Sequence, residues 1–251
     1  MKIAKKPLGL LGAFLVVVSI GYFVGAGVAY SRAQGGYDSL QSFSEEQNVT
    51  LTYDDDGNLV DRGTTEGAEA IMSLLEDDWG FPVVEGDLDP DDPLVNSATE
   101  YMVQMATISY HTLHGTQTVR LHEDDLVDQD GNQIEEITCN DETIEISYPL
   151  DDEGVTCEFD VDGRYWTDFD RTDPVQGAAR DMAWSGTAHA LVAELGVGAA
   201  THSALQLALG IAALLAGLGV VTLVMGVAFL WHTRQGLQAA TVTNSDGTSA
   251  A

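Results

Sequence analysis

Lysine is absent from residues 31–200 of this 251-residue chain, a stretch that holds 39 Asp and Glu against 6 Arg. Its absence removes the amine needed for a Schiff base and the side chain that usually cradles phosphate. Clustered basic residues are also missing, and nucleic-acid affinity depends on them, because Lys and Arg displace the counterions of the phosphate backbone. Such a field repels nucleic acid and anionic headgroups and draws loosely bound cations. Cysteine is scarce, at two residues, Cys139 and Cys157, with no CxxC motif. A metal site is the weaker reading of the pair, because neither CxxC nor partner-histidine spacing accompanies it. Charge of either sign is missing from Leu8–Tyr30, a run of 23 residues, and again from Leu195 through Thr233.

These uncharged runs set the architecture. At about 1.5 Å per residue the first exceeds the roughly 30 Å hydrocarbon core of a bilayer, and the second is longer. In lipid an unpaired backbone amide costs several kcal/mol, so both are expected as helices. Lys2, Lys5 and Lys6 precede the first and Arg234 follows the second, and basic residues favour the cytoplasmic side. The expected organisation is a cytoplasmic N-terminus (1–7), a first span (8–30), an acidic extracytoplasmic domain (31–202), a second span (203–231) and a disordered cytoplasmic tail (232–251). A cleaved signal peptide is the rival reading of the first run, with Gly27-Val28-Ala29 or Ser31-Arg32-Ala33 as the small-residue cleavage site. Both readings place the acidic domain outside the cytoplasm, at the plasma membrane.

Neither span carries a charged residue of the kind that marks ion or proton pathways, which argues against transport. What the spans offer is small residues at four-residue spacing: Gly21, Gly25 and Ala29 in the first, Ala204, Ala208, Ala212 and Ala216 in the second. Such faces allow close helix packing, either of the two spans on each other or on the helices of another membrane protein.

Between the spans the patterning predicts an α+β domain, a small antiparallel sheet plus helices. Val49–Tyr53 is a short β-type run closed by the turn-forming Asp54-Asp55-Asp56-Gly57-Asn58. Ala68, Ile71, Met72, Leu75 and Trp79 then recur at helical spacing up to Gly80. Ser97 and Glu100 form a capping box for a second helix ending at Gly115. From Thr116 the period shortens towards two, with strands expected over 116–121, 134–138, 143–148 and 155–161. Asp162-Gly163 signals a type I′ hairpin, and Asp173-Pro174 opens a further helix. The two cysteines lie on the oxidising side and are expected to pair.

Chemistry is harder to find. His111, His114 and His122, near Glu123 and Asp124, are the candidate metal ligands, although no HExxH motif accompanies them. Glu158, Asp160 and Asp162 begin like a calcium loop, but position twelve is Phe169. No GxSxG elbow is present and no cofactor is implied. The expectation is a non-enzymatic accessory or scaffolding subunit of a membrane or envelope complex. Its alternatives are an extracytoplasmic sensor or binder of cations or small ligands, and a metal-dependent hydrolase.

Overall fold

A computed structural model describes residues 5–128 and 130–245, and mixes helices with small antiparallel sheets between two long apolar helices. The chain forms two compact units, one made of residues up to Ser42 together with those from His202, the other of Phe43–Thr201.

The first unit is a helix pair. Helix α1 spans Lys5–Gln47 and α5 spans Gly186–Ser245, and both are long and apolar enough to cross a membrane. Pro7 is tolerated because it sits in the first turn of α1, where the missing N–H has no intrahelical partner to lose. The two helices run antiparallel. Gly9 lies beside Thr233, Gly12 against Gly226 and Leu230, Phe23 on Gly219, Gly25 beside Leu215 and Gly36 against Leu205. The apolar run Leu8–Tyr30 therefore packs along the part of α5 that includes Leu215 and Thr233. Helix α5 also continues through Ser245, where the sequence reading has a disordered tail from 232. Residues 246–251 of that tail lie outside the described residues.

The seam of the pair repeats every seven residues. On α1 it is Gly12, Ser19, Ala26 and Ala33, and on α5 it is Ala212, Gly219 and Gly226, all buried. A seven-residue stripe drifts only about 20° per repeat, a drift that a slight left-handed coil absorbs. Ser19 keeps its hydroxyl satisfied by donating to the Val16 carbonyl at 2.7 Å. Large apolar side chains face away from the seam instead, with Phe14 61% and Val224 62% exposed.

In the second unit Thr64 caps α2 (Thr65–Ser73), its hydroxyl accepting from the Gly67 amide at 3.1 Å. The helix widens into a π turn over Leu74–Asp78 and stops at Gly80, whose φ of +65° suits glycine. Helix α3 (Ala98–Leu113) carries the full capping box: Ser97 Oγ accepts from the Glu100 amide at 3.2 Å, and Glu100 Oε2 accepts from the Ser97 amide at 2.8 Å.

Two two-stranded antiparallel ladders follow where one sheet was expected. Strand β1 (Thr116–Leu121) pairs with β4 (Val155–Asp160), Val119 opposite Cys157, and β2 (Glu136–Cys139) pairs with β3 (Glu142–Glu145), Ile137 opposite Ile144. Alternation sends Val119, Leu121, Cys157 and Phe159 into the core. There they meet Leu126, Ile137, Val175 and Ala179, the last two from α4 (Pro174–Ala183). The Cys139–Cys157 disulfide, with a Cα–Cα distance of 5.8 Å, ties one ladder to the other.

Two local expectations resolve differently. Asp162 and Gly163 have the positive φ values of a type I′ turn, 49° and 73°, yet no returning strand follows. The Gly163 amide donates instead to the Leu113 carbonyl at 2.8 Å, and Tyr165 and Trp166 are taken up by an aromatic cluster. Val49–Tyr53 forms only single bridges, Thr50 to Leu94 and Tyr53 to Leu59.

Candidate functional site

The three histidines proposed as metal ligands are not brought together. His111 Nε2 lies 3.0 Å from Asp61 Oδ1, and His114 Nδ1 lies 2.9 Å from the Tyr110 carbonyl, so each has one ring nitrogen engaged at the C-terminal end of α3. Both rings rest against Tyr110, at centroid distances of 5.7 and 4.2 Å. His122 follows the six residues of β1, which at about 3.3 Å per residue carry the chain roughly 20 Å from that helix end. Among the described residues no group of three His, Cys, Asp or Glu side chains is placed to hold a metal ion. The calcium-like stretch is strand β4 instead, where Asp160 Oδ1 accepts from the Thr116 hydroxyl at 2.7 Å.

The small-residue faces are partly used. Ala212 lies in the helix seam and Gly25 beside it against Leu215, whereas Gly21 has open space around it and Ala204 is exposed. Ala29, Ala208 and Ala216 are half-buried beside the seam. Geometry explains the change of stripe. A four-residue repeat advances about 40° around the helix at each step and leaves a straight interface within a few turns, whereas a seven-residue repeat stays on it.

A concavity in the second unit was not legible as a motif. It is a cavity of about 280 Å³ bounded by the last turn of α1, the Val49 and Val95 backbone link, one face of α3 and the start of α5. Phe43, Val49, Val95, Ile108, Leu191 and Leu195 supply its apolar walls. The Val95 amide donates to the Val49 carbonyl at 2.9 Å and holds that wall in place. At its edge Ser44 Oγ and the Tyr101 hydroxyl share a buried hydrogen bond of 2.8 Å. Gly198 lets α5 approach the Tyr101 ring, because a Cβ there would lie 2.7 Å from the ring carbons. Glu194 is the one ionisable Asp, Glu, Lys, Arg or His side chain that lines the cavity.

Electrostatics elsewhere in this unit are set by burial and turns. Glu100 is 2% exposed, and burial pushes its carboxyl above the usual range although the Asn96 and Ser97 amides pull it back. Burial likewise raises the Tyr53 phenol, helped by Glu100 and Asp89. Asp54 and Asp128 are held low, first by the side-chain amides of Asn58 and Asn132 and then by the same residues' backbone N–H groups. These two acids belong to one turn used twice, Asp54-Asp-Asp-Gly-Asn58 and Asp128-Gln-Asp-Gly-Asn132. In each the first Asp accepts from the Asn backbone amide at 2.8 Å, and each closes an antiparallel bridge. Asp54 and Asp128 are therefore structural. The D-x-D-G-N spacing is the sequence signal for the second copy.

A second feature missing from the sequence reading is the aromatic cluster. Trp79 Nε1 donates to the Tyr165 hydroxyl at 3.0 Å, Tyr165 stacks on Trp184 at 5.9 Å, and His189 lies edge-on to Trp166 at 4.9 Å. Arg180 sits over Trp166 at 4.2 Å and Arg171 at 5.8 Å, so two of the six arginines of this acidic region are spent on one ring.

No family model matches the chain, and no match was found to a curated protein or a solved structure.

Proposed function

We propose that this chain is a two-pass plasma-membrane protein with both termini cytoplasmic, whose residues 31–202 present a disulfide-bonded α+β domain on the extracytoplasmic side, and that it serves as a non-enzymatic accessory or scaffolding subunit of a membrane complex. One observation carries the membrane reading: the two long helices bury small residues between them and turn large apolar ones outward. A helix of a soluble core does the reverse, so the outward faces call for lipid or other membrane helices as their surroundings. The basic residues at 2, 5, 6 and 234 support the orientation. The subunit role is supported by the helix pair itself, which satisfies its own seam and leaves two lipid-level faces for partners.

Purification from native membranes in a mild detergent tests the role. A partner membrane protein should co-elute in fixed ratio, and a strictly solitary protein under conditions that preserve known complexes would overturn it. For the orientation, a membrane-impermeant protease added to intact cells should cleave within residues 31–202, while cleavage only after lysis refutes it. The cavity beside Glu194 favours the second reading, an extracytoplasmic binder of small ligands.

A further inference from the structure

We propose that the cavity beside Glu194 is a binding site for a small amphipathic cation, a protonated or quaternary amine carried on a compact apolar body. Size comes first. About 280 Å³ lies at the small end of the roughly 300–1,000 Å³ range of small-molecule sites, so the body is a single ring or short chain. Wall chemistry comes second. Phe43, Val49, Val95, Ile108, Leu191 and Leu195 make most of the wall apolar, which favours burial of an apolar body over that of a purely polar guest.

Charge then selects the sign. No Lys, Arg or His lines the cavity, its uncharged polar groups are Ser44, Gln47, Tyr101 and Gln104, and Glu194 supplies a carboxylate. A bound carboxylate or phosphate would have no cation to meet in the lining, whereas an ammonium finds the Glu194 carboxylate. The field of the surrounding residues acts in the same direction, with 39 acids against 6 Arg over residues 31–200. It concentrates cations near the mouth and repels anions. The site thus depends on two properties in combination, an apolar body for the walls and a positive head for the rim.

The test uses the full-length protein in detergent and three probes of nearly equal size followed by ligand-observed NMR: phenethylammonium, 2-phenylethanol and phenylacetate. Phenethylammonium should bind saturably at one site, the alcohol about fivefold more weakly, as loss of roughly 1 kcal/mol of rim attraction requires, and phenylacetate not at all. Glu194→Gln should bring the cation down to the level of the alcohol. Ile108→Trp should fill the cavity and abolish binding of both. Because Ile108 is half-buried, Leu191→Trp, at the more exposed of the two wall positions, serves as a second block, and near-UV circular dichroism verifies the fold of each. Methylammonium, which has the charge without the body, should not displace the probe. Displacement by methylammonium, equal binding of phenylacetate, absence of saturable binding, or binding unchanged in both Trp variants overturns the proposal.

Discussion

The two compact units bury opposite kinds of residue. In the helix pair the buried positions are Ser19, Ala26, Ala33 and Ala212, and the large apolar side chains lie outside. In the acidic unit Ile71, Leu75, Leu126 and Val175 are inside, and the outside is carboxylate. Burial in the second follows apolar area, because water is the competing environment. In the first the competing environment proposed is lipid, which is as apolar as leucine and leaves only close contact to drive pairing. The difference teaches that the helix pair depends on small residues at its contact, whereas the acidic unit depends on buried apolar volume.

The sharpest way to break that contrast is to remove volume from the acidic unit. Leu75 is 0% exposed, so Leu75→Ala should cost about 3–4 kcal/mol in urea unfolding by the transfer and cavity terms together. A cost below 1 kcal/mol would show that this unit does not rest on packed volume. Next in size is the disulfide, which closes a loop of 18 residues between the two ladders. Replacing Cys139 and Cys157 by Ser should cost about 3 kcal/mol in the chain-entropy picture, and should leave crosslinking between engineered cysteines on α1 and α5 unchanged.

Adding volume to the helix pair is the converse. A Cβ at Gly226 would lie 2.8 Å from the Gly12 carbonyl oxygen, and one at Gly12 would lie 2.9 Å from that of Gly226. Gly226→Leu should therefore weaken the pairing by about 1–2 kcal/mol, read as lost α1–α5 crosslinking in detergent, while urea unfolding of the acidic unit stays put. Gly21→Leu, at a position with open space, should leave crosslinking intact, and equal damage from both variants would erase the seven-residue seam.

Salt separates the units more gently. Screening of like charges should stabilise the acidic unit by about 1 kcal/mol, or roughly 2–4 °C, between low salt and 1 M NaCl, with no matching change in helix pairing. A fall in its melting temperature would show that attractive rather than repulsive charge interactions dominate it.

The smallest effect concerns Glu100, where only a sign is predicted. Burial raises its folded-state pKa above the unfolded value, so the stability linked to its neutral form is full below the unfolded pKa and is lost as pH rises through the folded one. Glu100→Gln keeps an acceptor for the Asn96 and Ser97 amides and cannot ionise. Its stability relative to the parent should therefore increase from pH 3 to pH 7, and a gap that narrows with pH would contradict the buried-carboxylate reading.

Legibility differed from element to element for physical reasons. The capping box Ser97–Glu100 and the Pro174 start were readable because capping is settled within four residues. The expected hairpin after Gly163 was not, since its turn forms as read but Tyr165 and Trp166 find Trp79, Trp184 and His189, residues distant in sequence. The histidine cluster looked plausible on spacing, but β1 stands between His114 and His122. Four-residue glycine and alanine stripes stand out to the eye, yet pairing of long helices selects the seven-residue stripe, a property of two helices and not of one.

Sequence alone determined what local chemistry and solvent preference decide: two uncharged helical runs long enough for a bilayer, an acidic lysine-free region between them, the helix caps and a cysteine pair suited to oxidation. Tertiary structure decided which small residues meet in the seam, how two ladders share one core, and that apolar residues from four separate segments enclose a cavity with Glu194 at its edge. Those outcomes depend on register and on distances between residues far apart in the chain, and such distances exist only after the chain has closed on itself.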